Sequence, residues 1–193
     1  MDTFEAIRQD IMRHPDNAGF LAQGLAPLYV AAPKARVLVV GHAPGRQAQA
    51  TGIAWNDASG QRLMAWMGID EPTFRDPASI ALLPMDFYYQ GKGASGDRPP
   101  RKGFADLWHP RLLALMPDIT LIILVGTYAQ KHYLKKRAHG NLTETVRAYA
   151  DYLPLYFPIV HPSPLNFRWM NRNPWFEAEL VPALKLRVRE ALS

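Results

Sequence analysis

The stretch RVLVVGHAPG, Arg36 to Gly45, sets a run of valine and leucine directly against a turn of two glycines, a histidine and a proline. The apolar part is short and rich in β-branched residues and leucine, so it reads as a strand. A polar, glycine-bearing turn at such a strand end is where an α/β protein places its functional loop. Downstream, GQRLMAWMG puts Leu63, Trp66 and Met67 on one helical face, with Ser59 expected as the cap at its start and Gly68 closing its end. The unit is therefore strand, loop, helix.

The unit recurs. SIALLP (79–84) predicts a second strand, followed by the Gly- and Pro-rich loop YYQGKGASGDRPPRKG and the helical pattern ADLWHPRLLALM, in which Pro110 is expected to start or kink the helix. TLIILVG (120–126) predicts a third strand and YAQKHYLKKR its helix. A further helix is expected over TETVRAYADYL with Thr143 as its cap. LYFPIV (155–160) predicts a fourth strand, placed at an edge or bulge by Pro158. The chain closes on NPWFEAELVPALKLRVREAL, with Asn173 as cap and Pro174 in the first turn. Ahead of the first strand, Ile7, Ile11 and Met12 share a helical face that ends near HPDN, and a second helix is expected through about Pro27. Strands alternating with helices imply an α/β fold, a three-layer α/β/α sandwich around a central four-stranded parallel sheet. At 193 residues one domain over 1–193 is expected, with a helical segment, 1–34, packed on it.

Composition narrows the classes. The chain is 48% hydrophobic and 20% charged, inside the range of globular proteins. It contains no cysteine, which excludes disulfides and thiolate metal sites. The first fourteen residues lack the apolar run of a signal peptide, and no run is long enough to span a bilayer, so a cytoplasmic protein without membrane attachment is expected. The formal net charge of +5 favours a polyanionic partner, although a merely basic enzyme carries such a charge too.

If the strands are parallel, the loops after them share one rim: GHAPGRQ, the segment from Met85, GTYAQKH and HPSPLN. They offer His42, His132, His161, Asp86 and Asn166, with Trp55, Phe87, Tyr88 and Tyr89 as aromatic walls, a set that suits a planar heterocycle. Ser163 and His161 sit on too rigid a turn for a nucleophile pair, and no GxSxG elbow exists. GKGASGD lacks the order of a phosphate-binding loop, and its flanking Lys92, Arg98, Arg101 and Lys102 read as a basic loop. The six histidines show no metal-ligand spacing, so no metal is expected.

GHAPG after the first strand is similar to the GEAPG form of the uracil-DNA glycosylase superfamily, and HPSPLN after the last strand is nearly identical to that family's HPSPL. TGIAWNDASGQRLMAWMG also resembles the family's continuation of its first motif. The resemblance implies a base flipped from DNA into a pocket, hydrolysis of its N-glycosidic bond with water, and DNA containing a damaged or deaminated base as the partner of a monomeric enzyme. It assigns catalytic roles to His42 and His161. Gly41, Ala43, Pro44 and Trp55 are expected to form the base pocket, with Asp86 the nearest polar group to where the family carries its base-reading asparagine. Ser163, Leu165, Asn166 and Arg168 are expected to contact DNA: the serine grips a phosphate and the leucine wedges into the emptied stack. No cofactor is implied, the cluster-binding cysteines of the nearest branch being absent. Two departures leave alternatives open. His42 stands where the family has an acidic or amide residue, and the asparagine has no match in IALLPMDF. A superfamily member that binds nucleic acid or a nucleotide without excision, or a hydrolase of a small nucleoside-like compound, keeps the same pocket.

Overall fold

The computed structural model describes residues 2–94 and 96–193; Met1 and Ser95, the latter within the GKGASGD segment, lie outside the described residues. In chain order the elements are α1 (Phe4–Arg13), a 3-10 turn (Pro15–Asn17), α2 (Ala18–Ala22), β1 (Val37–Val40), α3 (Arg46–Thr51), α4 (Ala58–Met67), α5 (Glu71–Arg75), β2 (Ile80–Leu82), α6 (Phe104–Leu113), β3 (Leu121–Val125) and α7 (Gly126–Leu134). A 3-10 turn, α8 (Leu142–Arg147), another 3-10 turn, β4 (Tyr156–Ile159), a 3-10 turn (Pro164–Asn166), α9 (Phe167–Arg172), a π turn (Phe176–Leu180) and α10 (Val181–Leu192) complete it.

The four strands form one parallel sheet in the order β2-β1-β3-β4. The strands alternate which side they feed. Val37, Val39, Leu82, Ile123, Val125 and Ile159 pack toward α4 and α10, while Leu38, Val40, Ala81, Ile122 and Leu124 pack toward α1, α6 and α7. Both faces are therefore covered, as a parallel sheet requires, and the architecture is the expected α/β/α sandwich. Each fully buried Val, Leu or Ile contributes about 1.5–3 kcal/mol by leaving water. Pro158 lies on β4, which pairs with β3 alone, so its missing N–H falls on an edge. The other edge is guarded by Val30, which exchanges hydrogen bonds with Leu82 at 2.8 and 2.9 Å.

Two helix caps differ from the sequence expectation for one reason: a short acceptor nearer the extended end of the loop reaches the first-turn amides. Asp57, not Ser59, caps α4, its carboxylate accepting from Gly60 N–H at 2.9 Å, while Gly68 closes the helix in the left-handed region. Asn141, not Thr143, caps α8, and Thr143 instead accepts from the Trp169 indole N–H at 2.9 Å. Asn173 caps no helix start: its backbone N–H closes the end of α9 by donating to Met170 O, and its side chain donates to Trp169 O and accepts from the Trp175 indole. The helix after it widens into a π turn just before Pro182, which has no N–H to offer Ala178. α6 runs through Pro110 rather than starting there, and α2 ends at Ala22, short of Pro27.

Among the described residues, no helix is long and apolar enough to cross a membrane.

Candidate active site

The chain runs from β1 to β2 on one side, then returns across β1 to β3 on the other, so the strand order reverses between β1 and β3. The loops leaving the two strands diverge there and open a crevice at their carboxyl ends. A cavity of about 640 Å³ occupies it. Its walls come from the loop after β1 (Gly41–Ala48), the Ala54–Ser59 segment, the start of α7 (Gly126–Tyr128) and the turn after β4 (His161–Asn166). Leu82, Pro84 and Val125, at the strand ends, give it an apolar floor. The loops after β1 and β2 are zipped together beyond the sheet, with Met85 N–H donating to Gly41 O at 2.9 Å.

Trp55 forms one wall by an unusual route. Its φ is +54°, a left-handed conformation that costs a bulky residue of order 1–3 kcal/mol unless its surroundings enforce it. Two glycines and an arginine do so. A Cβ on Gly41 would stand 3.0 Å from the indole ring, and one on Gly60 would stand 1.9 Å from the Trp55 carbonyl oxygen. Arg75, on α5, donates to Ala54 O and, at 3.3 Å, to Trp55 O. So fixed, the indole lies against the His161 imidazole with ring centroids 5.7 Å apart and planes 29° from parallel.

His42 and His161 both line the cavity. Burial holds each imidazole below its ordinary pKa; for His161 the neighbouring His42 acts in the same direction and Asp57 opposes, while for His42 the carboxylates of Asp97 and Asp86 oppose. Near neutral pH both rings are therefore uncharged, each with one N–H to donate and one nitrogen to accept. Tyr128 meets His42 edge to face at 5.1 Å.

The lip HPSPLN is tied down at every turn. Ser163 Oγ accepts from Leu165 N–H at 3.2 Å, Asn166 Nδ2 donates to His161 O at 2.7 Å, and Arg62 donates to Ser163 O at 3.3 Å. Leu165 projects into solvent, 85% exposed.

Of the residues the sequence nominated, Gly41, His42, Ala43, Pro44, Trp55, His161, Ser163, Leu165 and Asn166 converge on this cavity. Asp86 does not. It is fully buried beneath the loop, where Arg101 grips it through Nε at 2.7 Å and Nη2 at 2.8 Å and the Arg101 and Tyr88 amides complete its shell. Arg101 is thus a half-buried tether rather than a solvated part of a basic loop; its guanidinium also reaches Asn17 Oδ1 at 2.7 Å and lies 4.5 Å from the Phe104 ring centroid. Phe87 and Tyr88 are core residues, because the backbone turns inward after Met85. His132 packs against His109, away from the cavity, and Arg168 is exposed on α9. Sequence reasoning missed Asp57, Ser59, Tyr128, Lys92 and Asp97, which line the cavity. Tyr128, Lys92 and Asp97 lay in loops already expected at the rim, and Asp57 and Ser59 in the stretch that continues the first motif, but no local pattern points to a site role for any of the five.

His109 supports the floor from behind. Its Nε2–H donates to Pro84 O at 3.0 Å, since a carbonyl only accepts, and Nδ1 then accepts from Tyr133 O–H at 2.7 Å. Burial pulls its pKa down to about 4.

A crevice at the switch point of a parallel sheet, walled by an indole and two neutral imidazoles over an apolar floor, lies where an open α/β fold places its ligand site. The sequence profile of the Uracil DNA glycosylase superfamily matches residues 28–185, and the chain belongs to that superfamily. The solution NMR structure of a protein from Methanosarcina acetivorans, provisionally named a uracil DNA glycosylase, is similar at 16% identity over 82% of this chain and 94% of that one, with a TM-score of 0.42.

Proposed function

We propose that the protein is a DNA base glycosylase that hydrolyses the N-glycosidic bond of a flipped uracil or other deaminated base. The observation that carries the proposal is the pairing of Trp55 with His161, side by side in the cavity wall, a stacking surface beside a polar donor. A base removed from its stack needs both. Bond cleavage leaves negative charge on the departing base and positive charge on the sugar. His161, uncharged because it is buried, donates a hydrogen bond to a base carbonyl as that charge grows, the role of a preorganised oxyanion donor. His42, equally uncharged, accepts a hydrogen bond from the water that adds to C1′ and takes its proton. Ser163 holds a flanking phosphate, and Leu165 occupies the space the base vacated.

The apolar floor favours a second reading, a superfamily member that holds a nucleotide without cleaving it, because Leu82 and Pro84 stand where a base-reading amide is expected. One experiment separates the two. Oligonucleotides bearing uracil, hypoxanthine or xanthine, single and double stranded, are incubated with the wild type and with His161→Ala, and abasic sites are revealed by alkaline cleavage. Excision by the wild type, reduced about 10²–10³-fold in His161→Ala, is the expected result. Salt-dependent binding without product on any substrate overturns the glycosylase reading in favour of the second.

A further inference from the structure

Leu165 and Phe167 are the two most exposed large hydrophobic side chains among the described residues, at 85% and 54%, and they stand two positions apart on the lip. Only Leu165 lines the cavity; Phe167 opens α9 just outside the mouth. The backbone that carries both is held on each side, by the Ser163, Asn166 and Arg62 contacts before it and by the Trp169 indole bonded to Thr143 behind it. A segment so restrained does not fold its apolar groups inward, and exposed apolar groups at the rim of a ligand cavity mark a contact surface. The company they keep is cationic. Arg168 places its guanidinium 5.7 Å from the Phe167 ring centroid, Arg172 is exposed one turn further along α9, and Arg46 is exposed at the cavity wall. A flat ring beside guanidinium groups complements stacked bases flanked by phosphates, and its continuity with the base cavity places that partner as the duplex around the extruded nucleotide.

We propose that Phe167 is a second wedge: it stacks on a base of the duplex next to the gap that Leu165 fills, so that the lip engages double-stranded DNA as a two-point insertion. The inference rests on the glycosylase reading for the position of the opened step, and its test is chosen to fail separately. Duplexes and single strands carrying the same damaged base, each with 2-aminopurine beside or opposite the lesion, are mixed with wild type, Phe167→Ala, Phe167→Trp and Leu165→Ala. Phe167→Ala is expected to lower duplex excision about tenfold, to leave single-strand excision within about twofold, and to remove the 2-aminopurine fluorescence change that wild type produces on binding duplex, with Phe167→Trp restoring it. Equal losses on both strand forms, or an unchanged fluorescence response, overturns the wedge. A change in self-association with duplex binding unaltered overturns it as well. If the wild type excises nothing, the glycosylase reading fails, and the fluorescence arm still decides the role of Phe167.

Discussion

Replacing Gly60 with alanine tests the device that aims Trp55. In an ordinary helix interior this change stabilises by about 0.8–1 kcal/mol, because alanine is the better helix former. Here the new Cβ would meet the Trp55 carbonyl oxygen at 1.9 Å and its carbonyl carbon at 2.7 Å, both backbone atoms that no rotamer change removes. Restoring even a 3.0 Å separation moves that carbonyl by at least about 1.1 Å, which is 3.0 less 1.9. The same carbonyl is the one Arg75 holds, so the shift also disturbs the clamp that keeps Trp55 at positive φ. A clash this close with backbone falls in the upper part of the overpacking range, about 2–3 kcal/mol, which exceeds the helix-propensity gain and leaves a net loss of about 1–2 kcal/mol. In a chain of this length that lowers Tm by roughly 2–8 °C. The indole moves with its backbone, and a displacement near 1 Å at a positioned group costs on the order of 10²-fold in rate. Calorimetry together with single-turnover excision measures both. A Gly60→Ala protein that is as stable as wild type or more so, and that excises at the wild-type rate, refutes the reasoning.

Two further perturbations probe the frame around the site. His109 has its folded pKa depressed to about 4, so between about pH 6.5 and 4 the unfolded chain binds a proton that the folded chain refuses. Stability therefore falls as the pH drops through that window and levels off below it; Tm measured against pH is expected to show the fall, and His109→Gln to flatten it. Asp86→Ala leaves Arg101 without its carboxylate in a mostly buried setting, with an expected loss of about 3–5 kcal/mol by denaturant titration and faster amide exchange in the loop Gly91–Gly103. A loss under about 1 kcal/mol would mean the ion pair contributes little to the loop's anchoring.

The sheet was legible because its strands are buried on both faces: VLVV and LIILV read as unbroken apolar runs, and each ends in a polar turn that the parallel topology gathers to one rim. Both motif turns reached the cavity for that reason. Where reading failed, the deciding partner lay far along the chain. Asp86 looked available for a ligand only while Arg101, fifteen residues on, was taken for solvated; across a folded loop the two cancel. Trp55 lines the cavity, but its left-handed backbone depends on Gly60 and Arg75 and leaves no local mark. Helix caps shifted by two residues at Asp57 and Asn141 because Ser, Thr, Asp and Asn compete for the same amides, and the winner is set by which one the loop leaves extended.

The apolar floor of Leu82, Pro84 and Val125 bears on fidelity. A pocket that reads its ligand through hydrogen bonds rejects an analogue lacking them by about 10⁴–10⁵, whereas apolar walls separate ligands differing by one methylene only about 10–200-fold. The Pro84 carbonyl at the floor already accepts from His109. On the glycosylase reading proposed above, a mispaired base leaves the stack at lower cost than a paired one, so the duplex adds to whatever discrimination the polar walls provide.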